Sequence, residues 1–277
     1  MKILIRGAGD IATGIALRLY RAGMQVVMTD LPAPTAIRRT VCFSQAIILG
    51  EMTVEDVTAH RAETPDQAEA LLAQGLIPVL ADPDCTCRTR LRPDALVDAI
   101  LAKRNLGTKI DDAPIVVGIG PGFTAGEDCH AVVETMRGHT LGRVIYRGSA
   151  LPNTNIPGLI GGYAGERVLR APAEGIFCQK LEIGAVVRAG DVAGEVAGQP
   201  MRCTIDGVLR GILADGTPVF RGMKAGDVDP RCKPEYCTTA SDKALAVGGG
   251  VLEAVLHLHH RNRPAEKQSQ FTEGALL

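Results

Sequence analysis

The sequence predicts an α/β fold, a parallel sheet covered by helices with a small β domain inserted after it. Three observations predict it. Apolar runs of strand length alternate with helix-spaced apolar positions through the first half of the chain. Gly7-Ala8-Gly9-Asp10-Ile11-Ala12 joins the first apolar run to the first helical segment. Residues 181–196 recur, with their glycines in register, as residues 213–228.

Ile3-Leu4-Ile5 forms the first strand, and Ile11, Ala12, Ile15, Ala16 and Leu19 line one face of the helix that follows. A strand that enters a helix through two glycines brings backbone N–H groups close to a pyrophosphate, and the helix N-terminus adds partial positive charge. Gly7, Ala8, Gly9, Asp10, Ile11 and Ala12 are therefore candidate dinucleotide-binding positions, with Ala12 standing for the third glycine. The second strand, from Gln25 to Thr29, ends at Asp30, roughly 20 residues on, where a carboxylate holds ribose hydroxyls. An acid at that point favours NAD over NADP, because it repels a 2′-phosphate. Asp10 repels an anion at the same site unless its side chain turns away as a helix cap. The pattern is Rossmann-like; its alternative is a tight strand-helix corner that binds nothing.

Residues 35–49 are expected to be helical and Val57 to His60 a strand. Asp66 to Gln74 forms a helix ended by Gly75. Ile77 to Ala81 is a strand that stops at Asp82-Pro83-Asp84, and Leu96, Val97, Ile100 and Leu101 mark the next helix. Ile115-Val116-Val117 is a strand opening into Gly118-Ile119-Gly120-Pro121-Gly122. Ligands of open parallel sheets sit beyond the carboxyl ends of the strands, so Gly118, Gly120 and Gly122 join the candidate positions. The alternative is an ordinary Pro-Gly turn. Cys129, His130 and Glu134 follow, on an expected half-buried helix, as candidates for nucleophilic or acid-base work; a cysteine there is more often a packing residue. Arg38 and Arg39 are either phosphate ligands or a solvated basic pair.

In the repeat, Leu, Gly, Val, Gly, Ala, Gly and Val recur in register, and Glu195 is matched by Asp227. Each copy is too small for a core of its own, so the two are expected to pack face to face. The pattern resembles the barrel-sandwich hybrid of biotinyl and lipoyl domains. The hairpin that carries a lysine in those carriers reads Ala197-Gly198-Gln199-Pro200-Met201 here, which points to a scaffold or docking module instead. Ser241-Asp242 caps a final helix with an apolar stripe from Ala244 to Leu256, interrupted by Gly248-Gly249-Gly250. His257 and His260 share a face of it and read as exposed residues near a helix end. Pro264 stops the helix before a polar tail expected to be disordered. The expected division is a nucleotide-binding domain over 1–140, the β domain over 141–235, the returning helix over 236–263 and the tail over 264–277.

At 277 residues the chain is long enough for two domains, and 46% hydrophobic with 22% charged residues indicates a soluble globular protein. A net charge of -1 and only 3% aromatic residues give no reason to expect nucleic acid or an anionic membrane as partner. No run approaches membrane-span length and no signal peptide precedes the first strand, so a cytoplasmic protein is expected. The 8 cysteines lack a framework spacing and read as reduced thiols; neither Cys85-Thr86-Cys87 nor the Cys232 and Cys237 pair has the gap of a structural zinc site, and no metal is expected.

Several segments together are more specific than the glycine pattern. They are residues 7–14, Ala36 to Val41, Gly118 to Gly126, Glu134-Thr135-Met136-Arg137-Gly138-His139, Pro152 to Gly158 and Gly226 to Arg231. In these the chain resembles the selenium-dependent molybdenum hydroxylase system proteins of the YqeB type, from Met1 to about Arg263. The resemblance implies an accessory or maturation role for a molybdenum hydroxylase, with that enzyme or its cofactor-maturation machinery as partner. It supplies no catalytic residues. The expected function is a maturation factor binding NAD or a dinucleotide form of the molybdenum cofactor; the alternatives are an NAD-dependent oxidoreductase and a non-catalytic scaffold.

Overall fold

The computed structural model describes residues 1–154 and 156–262. β1 (Lys2–Arg6) is buried along almost its whole length and leads through the glycine turn into α1 (Asp10–Arg21), whose Ile11, Ile15 and Leu19 face the core. β2 (Gln25–Asp30) then pairs parallel to β1, with Ile3 opposite Val26. The helix expected over residues 35–49 is absent: two 3₁₀ turns, Arg39–Val41 and Phe43–Gln45, precede the single turn α2 (Ala46–Leu49). The reason lies in its backbone partners. Phe43 N donates to Thr13 Oγ1 at 2.9 Å, Ser44 N to the Ala8 carbonyl at 2.9 Å, and the Ile37 carbonyl accepts from Ile212 N at 2.8 Å. A continuous helix consumes such groups internally.

β3 (Glu51–Val54) and β4 (Val57–Ala62) form an antiparallel hairpin. α3 (Pro65–Ala73) begins with Pro65 in its first turn and Thr64 as cap, whose Oγ1 accepts from Gln67 N at 3.2 Å. β5 (Ile77–Ala81), the single turn α4 (Arg88–Leu91), β6 (Ala95–Asp98), β7 (Val116–Ile119) and β8 (Thr124–Ala125) follow, then β9 (Ala131–Val133), β10 (Val144–Ile145) and β11 (Gly148–Ser149). The main sheet has 9 strands in the order β10-β9-β7-β6-β1-β2-β5-β4-β3, parallel from β9 to β4 and antiparallel at both edges.

Two expected helices are strands. Leu96, Val97, Ile100 and Leu101 imitate helical spacing, but Ala95 to Asp98 are all buried, as a central parallel strand covered on both faces requires. The segment around Cys129 likewise holds β9, with all three residues buried beside β7. Pairing of β10 with β9 and of β11 with β8 carries this body to Ser149, beyond the boundary expected at residue 140.

The second body contains β12 (Val168–Arg170), β13 (Gly175–Gln179), β14 (Val186–Val187), β15 (Val192–Val196), β16 (Gln199–Arg202), β17 (Gly207–Ile212), β18 (Pro218–Val219) and β19 (Lys224–Asp229). The offset that superposes residues 181–196 on 213–228 carries β13, β14 and β15 onto β17, β18 and β19. Two four-stranded sheets result, ordered β12-β19-β17-β14 and β16-β15-β13-β18. The short strand of each copy is exchanged: β14 pairs with β17, and β18 pairs with β13. Phe177, Val196, Leu209, Ile212 and Val228 close the core between the sheets.

α5 (Asp242–Arg261) returns to the first body and lies along α1. Its glycines are explained by contact. A Cβ on Gly248 would lie 2.8 Å from the Gly14 carbonyl oxygen, and Gly250 abuts the Gly142 backbone. Among the described residues no helix is long and apolar enough to cross a membrane. Pro264 and the polar tail lie outside the described residues.

Candidate ligand-binding cleft

The strand order reverses at β1, with β2 and β5 on one side and β6, β7 and β9 on the other. Loops leaving a parallel sheet at such a reversal diverge and open a crevice. Here the crevice is a cleft of about 630 Å³. Its walls come from Arg6, Gly7, Gly9, Asp10 and Ile11 after β1, Asp30 and Leu31 after β2, Pro83 and Asp84 after β5, and Ala99 to Ala102 after β6.

The two glycines differ in purpose. Gly7 has φ +105° and a Cβ there would lie 3.0 Å from the Ala99 carbonyl, so it permits two loops to touch. A Cβ on Gly9 would meet no atom within 4 Å. Among the described residues no hydrogen bond engages the N–H groups of Gly9, Asp10 or Ile11, at the N-terminus of the 12-residue helix α1. Three such donors with a helix dipole behind them have the chemistry to receive an anion. The flanking Ala8 and Ala12 are buried.

Asp30 stands across the cleft floor. Its Oδ2 accepts from Ala8 N at 2.8 Å and its Oδ1 from Leu31 N at 2.7 Å, leaving further lone pairs for hydroxyl donors. Burial pushes its carboxyl above the ordinary aspartate value, while the two N–H bonds oppose the rise. Asp10 is neutralised rather than turned into a cap: Arg38 Nη1 donates to both of its oxygens at 2.9 Å. Arg38 Nη2 also donates to the Tyr236 carbonyl at 2.9 Å and the Thr239 carbonyl at 3.2 Å. Arg39 points elsewhere, to the Ile212 carbonyl at 2.9 Å and Gln179 Oε1 at 2.8 Å. The basic pair therefore holds the two bodies together, and neither arginine is a free phosphate ligand.

Gly118, Gly120 and Gly122 do not line the cleft. Cβ atoms on them would lie 2.5 Å from Phe123 Cγ, 2.6 Å from Thr135 Oγ1 and 2.6 Å from the Arg104 backbone. Cys129 is buried in the apolar layer that includes Leu96, Val116 and Val132, and that burial pushes its thiol up to about 11. His130 Nδ1 accepts from Val116 N at 3.0 Å, and burial lowers the imidazole below its ordinary value. Glu134 is a buried loop anchor, accepting from Thr135 N at 2.6 Å, Met136 N at 2.7 Å and Leu151 N at 2.8 Å. All three side chains stand outside the cleft. Among the described residues no group of three or more His, Cys, Asp or Glu stands together to hold a metal ion.

Sequence reading missed the support beneath the cleft. Arg6 donates to Thr108 Oγ1 at 3.0 Å and to Asp98 Oδ2 at 3.3 Å, and Thr108 Oγ1 donates to Asp98 Oδ2 at 2.6 Å. The available signal was a charge directly after each of two apolar runs, Ile3-Leu4-Ile5 and Ala95-Leu96-Val97, which the interior admits only as a pair.

A protein of Escherichia coli (strain K12), described as the uncharacterized protein YqeB, is 51% identical over 266 residues, covering 96% of this chain and 49% of that protein. Over almost its whole length the chain is similar to YqeB. It spans about half the length of the curated relative it matches. No protein-family profile matches this chain. Parts of it align with the ectoine utilization protein EutE (DoeB) from Ruegeria pomeroyi, 21% identical with a TM-score of 0.22 over 30% of this chain and 28% of that one. An aspartoacylase family protein from Mesorhizobium loti is 11% identical, with a TM-score of 0.25 over 53% of this chain and 60% of that one.

Proposed function

We propose that this YqeB-like chain is an accessory factor that binds a dinucleotide, NAD or a dinucleotide form of the molybdenum cofactor, and serves the maturation of a selenium-dependent molybdenum hydroxylase. One observation carries the binding half: three unpartnered N–H groups at the α1 N-terminus face the same cleft as the Asp30 carboxylate. Phosphates take the amides and a ribose takes the acid, in the Rossmann-like manner. A cleft of about 630 Å³ suits such a ligand. The maturation half rests on the sequence resemblance. The exchanged sheets of the second body, barrel-sandwich-like and without a carrier lysine, supply a docking module. Oxidoreduction draws no support from the geometry, because Cys129, His130 and Glu134 stand outside the cleft.

The test is release of ligand from purified protein by denaturation, identified by mass spectrometry, alongside melting curves with NAD, NADP and molybdopterin dinucleotides. A retained dinucleotide, or a saturable rise in Tm with one, is expected, without substrate-dependent reduction of NAD. No ligand and no shift with any dinucleotide would sink the binding half.

A further inference from the structure

A second site lies on the far side of Arg38. The seam between the two bodies holds a cavity of about 260 Å³ whose walls are Arg210, Arg231, Tyr236, Thr239, Ser241 and Asp242. It shares no lining residue with the nucleotide cleft. Arg38 separates the two, one nitrogen on Asp10 of the cleft and the other on the Tyr236 and Thr239 carbonyls.

Four arginines around the seam pair with a carboxylate. Arg38 takes Asp10, Arg137 takes Asp242 at 2.7 Å and Arg167 takes Asp227 at 2.8 Å. Arg231 takes Asp229 through two bonds, Nε to Oδ1 at 2.9 Å and Nη2 to Oδ2 at 2.6 Å. Arg210 is the arginine left without a carboxylate of its own, and Lys224 and Lys243 add further positive charge nearby. Arg210 is 6% exposed, its Nε has no partner, and its nearest carboxylate oxygen is Asp229 Oδ2 at 3.7 Å, already taken by Arg231. Among the described residues no hydrogen bond uses its guanidinium. A buried cation without hydrogen bonds is costly, and native structures rarely retain one that nothing answers.

The other walls suit an anion. Arg231 spends one face on the Tyr236 ring, 4.4 Å from its centroid, and its Nη1 remains free for a ligand. Ser241 and Asp242 open the 20-residue helix α5, so the positive end of its dipole borders the cavity. Asp242 lends little repulsion because Arg137 compensates it. We propose that this seam cavity binds a phosphate group, held by Arg210 and Arg231 at the N-terminus of α5. Burial first, and then the like charge of Arg38, push the Arg210 guanidinium below its ordinary value against the opposing pull of Asp227, Asp10 and Asp229, and an anion there adds to that pull.

The experiment is calorimetric titration of the full chain with inorganic phosphate and with glycerol 3-phosphate, at ionic strength held constant with chloride. Saturable binding of one equivalent is expected, tighter for the free ion if that is the ligand and tighter for the ester if a phosphorylated molecule is. Arg210→Met should weaken it by at least about tenfold, the loss of a charge-assisted pair. Tyr236→Glu sets a carboxylate on the cavity wall while leaving the buried guanidinium in place, and should do the same; it serves even where Arg210→Met does not fold. Gly9→Asp obstructs the nucleotide cleft and should leave phosphate binding unchanged. Absence of saturable binding to the unaltered chain overturns the proposal. So does binding abolished by Gly9→Asp and indifferent to Tyr236→Glu, which assigns the phosphate to the cleft. The nucleotide reading stands or falls separately, on dinucleotide titration of Tyr236→Glu.

Discussion

The loops after β1 and β7 leave the same edge of the same sheet, and both are rich in glycine. In the first, the space beside Gly9 belongs to the cleft; in the second, the space beside Gly118, Gly120 and Gly122 belongs to Phe123, Thr135 and Arg104. The first loop leaves backbone donors unpartnered, whereas the Gly120 N–H donates to the Val133 carbonyl at 2.9 Å. A missing side chain thus leaves either open cleft or room for a neighbour, and composition alone does not distinguish the two. What decides is whether the atoms at that point come from the same chain.

The largest effect expected from this contrast is on stability. Gly118→Val drives two methyl groups into the Phe123 ring and should cost about 3 kcal/mol in urea unfolding, with ligand affinity of the folded protein unchanged. A loss under 1 kcal/mol would break the contrast from the packed side. Gly9→Asp tests the open side. Aspartate is a good N-cap, so stability should hold within about 0.5 kcal/mol. Dinucleotide affinity should fall about 100-fold, roughly 2.7 kcal/mol, as the new carboxylate occupies the amides. Equal binding by this variant in calorimetry would mean the amides are not the phosphate site.

Asp30→Ala should weaken dinucleotide binding about tenfold, near 1.4 kcal/mol, with the circular dichroism spectrum retained. Unchanged affinity would remove the ribose assignment. The smallest effect concerns a carboxylate belonging to neither loop. Arg137 holds Asp242 down at about 2, from an ordinary 3.8, so this pair contributes stability above the ordinary value that is lost as pH falls through the depressed one. Asp242→Asn should flatten the acid limb of stability between those limits by a few tenths of a kcal/mol, because the pair is partly solvated. Urea titrations from pH 5 down to pH 2 read the slope, and an unaltered slope refutes the pairing.

Legibility from sequence followed the range of the interactions that shape each element. β1, α1 and β2 were readable because their apolar pattern and turn glycines are local. The repeat was readable because both copies keep their glycines in one register. β6 was not, because Leu96, Val97, Ile100 and Leu101 fit a helix until β1 and β7 enclose residues 95–98 on both sides. The segment after Thr35 failed similarly, since its backbone partners Thr13, Ala8 and Ile212 belong to other elements. That Gly9 and Asp30 come to one sheet edge was legible from spacing, and both line the cleft. The Arg6, Asp98 and Thr108 support and the unanswered Arg210 were not, because each depends on partners distant in the chain.

Exchange of β14 and β18 between the two copies has a consequence for synthesis. Neither copy can complete a sheet from its own residues, so the first half emerging from the ribosome has no finished structure to adopt. Closure waits for β18 and β19 to emerge, so the interlocked tandem should unfold in a single cooperative step.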